Sequence, residues 1–273
     1  MKTTGFWTEL GYALRALADL LMPRRCLVCG EPLETLPSGA DRRSLAAHLC
    51  PACAEDLPET FFWSWADNPA EEQLWHRVGI IHAASLYFYR QGSDYTRLVQ
   101  AVKYEGNLRL GRVLGRELGL RMAAAGRFSV PTVDMLGESI PGIQAIVPVP
   151  LHPLRRWKRG YNQAEVIARG LAEGLAGYDS AGVGERPLPI VTNLLRRARY
   201  TRTQTRLSAD EKQRNVAGAF VLRPSAAARL QAAGIRHLLI VDDVITTGAT
   251  LSEAIKPLLP HFRISVVTIA FVE

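Results

Sequence analysis

The stretch HLLIVDDVITTGATLSEAI, from His237 to Ile255, decides the fold. A continuous apolar run leads directly into two adjacent carboxylates, Asp242 and Asp243, and small hydroxyl residues follow before a helical pattern begins. Continuously apolar strands are typical of a parallel sheet that is covered on both faces. Because ligands of open α/β sheets bind beyond the carboxyl ends of the strands, we expect the acidic pair at the binding edge.

The acidic pair and the residues after it have the chemistry of a sugar-phosphate site. Two neighbouring carboxylates repel each other, and either the hydroxyl groups of a sugar or a divalent cation would relieve them. The residues TTGAT, 246–250, then offer backbone N–H groups at the start of a helix, a typical anion site. The chain contains neither the P-loop motif nor G-x-G-x-x-G after a strand, which argues against the common nucleotide loops.

Strand and helix patterns alternate along residues 81–273 and predict one α/β domain with a parallel sheet flanked by helices. The apolar content of 48% is sufficient for a core of this size. The predicted strands are 84–90, 143–150, 190–197, 218–222, 237–244 and 264–273. The predicted helices are 93–107, 108–125, 162–177, 208–215 and 250–259.

The cysteines form two C-x2-C pairs, Cys26 with Cys29 and Cys50 with Cys53, separated by about 20 residues. This spacing is typical of a four-thiolate zinc site and uses every cysteine of the chain. Two disulfides or free thiols are the alternative, and a reducing cytosol disfavours the disulfides. A closed shell of sulfur ligands predicts a structural zinc in a small zinc-ribbon-like module over residues 23–58.

The segments on either side of this module carry weaker signals. Residues 1–22 place apolar side chains at helical spacing, which predicts an amphipathic helix that packs on its own domain or contacts a membrane surface. The aromatic, irregular residues 59–80 predict a linker that packs back on the protein. We find no transmembrane run and no signal peptide pattern, and therefore expect a cytoplasmic protein, with peripheral membrane contact as the alternative.

Basic residues follow the strand predicted at 143–150, and the net charge of +7 is compatible with anionic ligands or nucleic acid. A cationic loop at the edge that holds the acidic pair would suit a diphosphate, and a solvated basic turn is the alternative. A second basic and polar stretch, 194–220, predicts a mobile flap. The residues of the basic loop are Arg155, Arg156, Lys158 and Arg159.

The segment LLIVDDVITTGAT, 238–250, resembles the 5-phosphoribosyl-1-diphosphate (PRPP) motif of type I phosphoribosyltransferases at every position. The resemblance implies that Asp242 and Asp243 hold the ribose 2′- and 3′-hydroxyls and that the basic loop faces the diphosphate with its Mg²⁺. It also implies that the flap closes over PRPP and excludes water. The residues that would wrap the 5-phosphate are Thr246, Thr247, Gly248, Ala249 and Thr250.

The order of motifs along the chain is similar to that of the ComF family, which joins a zinc knuckle to a phosphoribosyltransferase domain. The paired cysteines are followed by LVQAVKYEGN, VPVPLHPLRRWKRGYNQAE, RTQTRLSADEKQRNVAGAF and VDDVITTGAT. The resemblance runs from about residue 20 to the end, and it implies a role in DNA uptake beside the inner membrane. Many members carry further cysteine pairs, whereas residues 54–80 contain none, so we expect one metal site.

Three functions remain open at this point. The first is a protein of the DNA-uptake apparatus that binds PRPP or a related phosphosugar together with Mg²⁺. The second is an active phosphoribosyltransferase in nucleotide salvage, for which the sequence identifies neither a catalytic residue nor an acceptor. The third is a nucleic-acid-binding adaptor in which the zinc knuckle and the basic loops hold single-stranded DNA and the sugar site is residual. Other DNA-uptake proteins are further expected partners.

Overall fold

The chain divides into two compact units, one that ends at Leu57 and one that begins at Pro58. The helices predicted for 1–22 and 208–215 lie outside the described residues. The computed structural model describes residues 24–33, 43–133, 137–177, 187–199 and 217–273.

Within the described residues, a 3₁₀ turn spans Leu45–Ala47. The described helices are α1 (Pro51–Glu55), α2 (Pro69–Trp75), α3 (Thr96–Tyr104), α4 (Leu108–Ala125), α5 (Pro153–Arg159), α6 (Gln163–Gly177), α7 (Pro224–Ala232) and α8 (Ala249–Ile255). The described strands are β1 (Ala83–Tyr89), β2 (Thr132–Val133), β3 (Ser139–Ile140), β4 (Ala145–Pro148), β5 (Leu195–Arg197), β6 (Phe220–Leu222), β7 (His237–Ile245) and β8 (Arg263–Val272).

A parallel sheet with the strand order β1-β8-β7-β4 forms the core of the second unit. The two central strands, β7 and β8, are buried along nearly their whole length, as their continuous apolar sequence predicts. Pro148 at the end of β4 pairs with Val241, so the next residue of β7, Asp242, lies at the edge where β4 ends. The predicted parallel α/β fold is therefore confirmed, and it places the acidic pair at the carboxyl ends of the strands.

Two helices, α4 and α6, pack together with their backbones in close contact and cover the sheet, α4 against β1 and β8 and α6 against β7 and β4. Glycines make this contact possible. A methyl group added at Gly115 would overlap the carbonyl oxygen of Ile167, and one added at Gly170 would overlap that of Arg112. The glycines of α4 therefore serve close helix packing, which outweighs their low helix propensity.

The structure differs from the predicted elements in three places. Residues 153–159, predicted as a loop, form α5, which begins at Pro153 after His152 and ends at Gly160 in the left-handed conformation. The strand predicted at 190–197 is divided into a single parallel bridge from Ile190 to Ile146 and the separate strand β5. Residues 59–80 contain α2 and belong to the second unit.

The ribbon of β5 and β6 is antiparallel and flanks the predicted flap, of which residues 200–216 lie outside the described part of the chain. Among the helices that the structure describes, none has the length and apolar character needed to span a bilayer.

Candidate functional site

The acidic pair lies near the carboxyl end of β7 and is almost inaccessible to solvent. Asp242 is 8% exposed and Asp243 is 6% exposed. The backbone N–H of Asp243 donates to Oδ1 of Asp242 at 2.9 Å, which fixes the first carboxylate along the strand. Burial first and the charge of Asp243 second raise the pKa of Asp242 to about 7. This environment therefore favours a proton or another hydrogen-bond donor at the Asp242 carboxylate.

Lys103, in the last turn of α3, forms an ion pair with Asp243. Its Nζ lies 3.2 Å from Oδ1 of Asp243. The second oxygen of Asp243, Oδ2, is buried and reaches no hydrogen-bond donor among the described residues. A buried acceptor without a partner is costly, and such atoms in native structures commonly await a ligand, a water or an ion. The arrangement can accept a hydrogen bond from a polar ligand.

The loop after β7, residues 246–248, leads directly into α8. Gly248 adopts φ 71° and caps α8, a conformation that favours glycine over residues with a Cβ atom. An added Cβ at Gly248 would also come within 3.1 Å of the Leu74 side chain, so α2 packs directly against the loop. Gln73 of α2 donates its side-chain N–H to the carbonyl oxygen of Thr246. Thr246 is exposed, and Thr247 and Thr250 are half-buried.

The predicted diphosphate residues lie on α5, and the structure separates them by environment. Arg155 is close enough to Arg197 to lower the pKa of that guanidinium, and Asp242 acts on Arg197 in the opposite direction. The Nη2 atom of Arg156 lies 3.7 Å from Oε2 of Glu165. Arg159 lies over the ring of Tyr104, with 5.5 Å from its Cζ atom to the ring centroid. Arg155 therefore lies near Arg197, which in turn interacts with Asp242.

Arg197 and Lys103 are site residues that the sequence reasoning missed. Arg197, in β5, is buried and stacks on Phe220, and burial first and Arg155 second lower its pKa to about 10. Lys103 belongs to the segment LVQAVKYEGN, which supports the family resemblance, but its apolar residues indicate only a core-facing helix. A signal was available, because a lysine directly after the buried stripe of Leu98 and Val102 is unusual in a core helix.

The second candidate site is the cysteine cluster of the first unit. Its four Sγ atoms lie within 4.8 Å of one another, and those of Cys29 and Cys50 are 3.7 Å apart. None of the four cysteines forms a disulfide bond in this structure, which excludes the disulfide alternative here. Ligands at about 2.3 Å from a tetrahedral zinc are about 3.8 Å apart, so the spacing fits such an ion. The cluster can hold a metal such as zinc.

Local backbone geometry explains how the cysteines converge. The backbone N–H of Gly30 donates to the Cys26 carbonyl oxygen at 2.9 Å, and Gly30 turns the chain with φ 82°. Cys50 caps the N-terminus of α1, which carries Cys53. Burial alone would raise the pKa of the Cys26 thiol, but hydrogen bonds from backbone N–H groups lower it to about 6. Burial first and the neighbouring thiols second raise the pKa of Cys53, and a bound metal would favour its thiolate form.

Comparison with known proteins identifies close relatives over most of the chain, although no family model matches it. The chain is 34% identical over 253 residues to DNA utilization protein YhgH of Escherichia coli (strain K12), an alignment that covers 88% of this chain and 92% of the relative. It is 29% identical over 236 residues to Competence protein F of Haemophilus influenzae, covering 85% and 89% of the two chains. These relatives, together with the cysteine cluster ahead of a parallel α/β domain, show that the chain belongs to the ComF family.

Proposed function

We propose that this chain binds PRPP or a closely related phosphosugar and that it acts in the uptake or use of DNA. The observation that carries the proposal is the acidic pair. Two adjacent carboxylates are buried at the carboxyl end of a central parallel strand, and one oxygen of Asp243 reaches no described donor. This is the edge at which open α/β sheets bind their ligands.

The residues around the pair support a ribose phosphate as the ligand. Ribose hydroxyls can donate to Asp242 and Asp243, and hydrogen bonds to ionised acceptors are stronger than neutral ones. The loop 246–250 follows within a few residues, so a 5-phosphate would meet its backbone N–H groups and hydroxyls. Sugar and phosphate would therefore be bound by one continuous segment of chain.

Cations near the pair support a diphosphate as a further part of the ligand. Arg197 interacts electrostatically with both Arg155 and Asp242, and guanidinium groups bind phosphate oxygens in a bidentate manner. The remaining residues of the α5 set, Arg156, Lys158 and Arg159, would contribute positive potential. Mg²⁺, which the resemblance implies with PRPP, prefers oxygen ligands, and the diphosphate itself provides them. The ion would neutralise the diphosphate, and the role of the protein would be to orient it.

The relatives support a role in the handling of DNA. One bears the name Competence protein F, and several bear the name DNA utilization protein. Residues 23–58 would form a structural zinc module of the same protein, and their partners would include other DNA-uptake proteins.

A specific observation favours a second candidate function, the binding of single-stranded DNA. Trp157 on α5 is 86% exposed, and Leu154, three residues earlier, is 59% exposed. Basic residues surround both side chains on this short helix. An exposed aromatic ring among cations is the usual platform on which bases of single strands stack. Under this function, α5 would bind DNA instead of diphosphate.

Titration calorimetry with PRPP, ribose 5-phosphate and 2-deoxyribose 5-phosphate, in the presence of Mg²⁺, tests the first proposal. We expect PRPP to bind most tightly, and the deoxy sugar to bind about tenfold more weakly than ribose 5-phosphate, because it lacks one hydroxyl donor. Failure of the wild-type protein to bind PRPP would refute the phosphosugar function. Release of diphosphate when nucleobases are added would identify an active phosphoribosyltransferase.

Fluorescence titration with oligothymidylate at increasing salt tests the second candidate. If α5 binds single strands by stacking, Trp157→Ala should weaken binding about 5- to 100-fold, while Trp157→Phe, which keeps a ring, should retain most of it. Affinity should fall as salt rises. Equal binding by wild type and Trp157→Ala would exclude stacking on this residue.

A further inference from the structure

Lys103 is held beside the acidic pair by structure that extends well beyond its own side chain. The hydroxyl of Tyr161 donates to the carbonyl oxygen of Val102 and so anchors the last turn of α3. Leu98 and Val102 of the same helix are buried. Asn107 then caps α4 and accepts from the N–H of Leu110 at 3.0 Å. The backbone around Lys103 is therefore held before it, at Val102, and after it, at Asn107.

The ammonium of Lys103 lies where a cation would reduce the electrostatic repulsion between Asp242 and Asp243. Its Nζ is 3.2 Å from Oδ1 of Asp243, and the Lys103 side chain is only 24% exposed. Burial opposes the charge of Lys103, but Asp243 and Asp242 together raise its pKa above the ordinary value. Lys103 is therefore an ammonium ion at neutral pH, and the positive charge at the pair belongs to the protein itself.

The remaining polar atoms define what the pair can still accept. Oδ1 of Asp242 already accepts the backbone N–H of Asp243, and Oδ1 of Asp243 faces Lys103. Oδ2 of Asp243 is buried and has no partner among the described residues. A neutral hydroxyl donor satisfies this oxygen without adding charge. A divalent cation at the same point would be placed next to an ammonium ion, which costs several kcal/mol at short range.

We propose that Lys103 is the built-in counter-cation of the acidic pair, which excludes a resident divalent metal from the carboxylates and holds Asp243 ready to accept a sugar hydroxyl. Lys103 is in this sense a specificity-determining residue that selects a neutral diol over a metal ion at the pair. This inference rests on the proposed phosphosugar function for the identity of the ligand. The exclusion of a metal from the empty site does not depend on it.

Electron paramagnetic resonance of Mn²⁺, added without any sugar to the full-length, zinc-loaded chain at pH 8, tests the exclusion. We expect wild type to bind no Mn²⁺ at the pair, so that Asp243→Asn changes nothing. Lys103→Met should bind about one Mn²⁺ per chain, at concentrations at least tenfold below any at which wild type shows binding. Addition of Asp242→Asn and Asp243→Asn to Lys103→Met should abolish that binding. Lys103→Arg keeps the positive charge and should behave as wild type.

Lys256→Met is the matched control, because Lys256 also pairs with a carboxylate, that of Glu253, but away from the pair. It should bind no additional Mn²⁺. Two results would overturn the proposal: wild type that binds Mn²⁺ in a manner dependent on Asp243, or a folded Lys103→Met variant that binds no more than wild type. The first of these requires only wild type and Asp243→Asn, so it holds even if Lys103→Met does not fold.

Failure of the phosphosugar function and failure of the counter-cation proposal would give different experimental results. If the site binds no phosphosugar, calorimetry with PRPP fails while the Mn²⁺ results stay as expected. If Lys103 is not the counter-cation, the Mn²⁺ results fail even when PRPP binds.

Discussion

Glu71 in α2 and Asp243 in β7 are both buried carboxylates of the same unit, and their surroundings are opposite. Glu71 is completely buried, and Oε1 accepts from the N–H of Ala83 at 2.9 Å and lies 2.8 Å from the guanidinium of Arg127. Its other oxygen, Oε2, accepts from the N–H of Asp67 at 2.8 Å. All of these partners come from the protein.

Asp243 is nearly as buried, yet Lys103 faces one of its oxygens and the other has no described partner. Burial alone therefore does not distinguish a structural carboxylate from a binding carboxylate. The difference lies in whether the protein satisfies every lone pair that it removes from water. A fully satisfied group such as Glu71 fixes the fold, whereas a group with an unsatisfied acceptor such as Asp243 is ready for a ligand.

The cysteine cluster extends the rule that buried polar groups need a partner, and loss of its metal should change stability more than any substitution below. Four thiols converge with their Sγ atoms within 4.8 Å of one another, so a metal should be their partner. Removal of zinc by a strong chelator, or Cys26→Ser, should unfold residues 24–57, because structural zinc contributes about 10–16 kcal/mol in zinc-finger peptides. Hydrogen exchange should then show loss of protection there, with protection in β7 unchanged, and restored zinc should restore it. Full protection without metal would contradict the rule for this cluster.

Matched amide substitutions test the comparison directly. Glu71→Gln should lower the free energy of unfolding by about 3 kcal/mol, because the half-buried Arg127 then loses the counter-charge of a fully buried carboxylate. Asp243→Asn should lower it by less than about 1 kcal/mol, because repulsion from Asp242 is relieved and Lys103 keeps one carboxylate nearby. Urea denaturation monitored by tryptophan fluorescence measures both. Equal losses would show that the unsatisfied oxygen does not mark a functional group.

Substitution of the acidic pair, which should cost little stability, should instead cause a large loss of ligand affinity. Asp242→Asn/Asp243→Asn should weaken PRPP binding at least about tenfold, because each charge-assisted hydrogen bond contributes roughly 1.5–3 kcal/mol. Asp94→Asn, an exposed carboxylate that pairs only with Arg97 among the described residues, should leave affinity unchanged. Calorimetry with Mg²⁺ present measures all three proteins. A double variant that binds PRPP as well as wild type would remove the ribose role from the pair.

The smallest expected effect is a pH dependence of stability. Burial and Asp243 raise the pKa of Asp242 from 3.8 to about 7 in the folded protein. This group therefore stabilises the fold most below pH 4, and that contribution is lost as pH rises through 7. Asp242→Asn should raise the melting temperature at pH 8, by about 2–4 °C for each kcal/mol recovered, and have little effect near pH 4.

Calorimetric scans across this pH range measure the difference from wild type. Glu105→Gln, an exposed carboxylate at the end of α3, serves as the control and should show no such trend. A stabilisation by Asp242→Asn that is larger at pH 4 than at pH 8 would mean that burial does not raise the pKa of this carboxyl.

The sequence predicts those parts of the molecule that local pattern determines. The apolar strand ending at Asp242 and Asp243 and the glycine-containing helix 108–125 are observed as expected. Lys103 could not be placed, because its contact with Asp243 joins residues far apart in the chain and depends on how α3 packs. The same holds for Arg197, which a second ribbon brings to the pair.

The ends of helices α2 and α5 are marked in the sequence, although the overall composition of the two segments predicts a linker and a loop. Asn68-Pro69 followed by Glu71 forms a capping box at the start of α2, yet the aromatic residues before it indicate a linker. Pro153 and Gly160 mark the two ends of α5, but its charges lack an apolar stripe, so the pattern predicts a loop. Residues 200–216 of the predicted flap lie outside the part of the chain that the structure describes.

The contact of α2 with the loop after β7 has a practical consequence for shortened forms of the protein. A chain cut at residue 81 would keep every strand of the parallel sheet but would lose Gln73 and Leu74, which contact Thr246 and Gly248. If the proposed phosphosugar function holds, such a fragment should fold but bind phosphate poorly. A chain cut at Pro58 keeps this support, so the proposed sugar site should be studied in fragments that begin there.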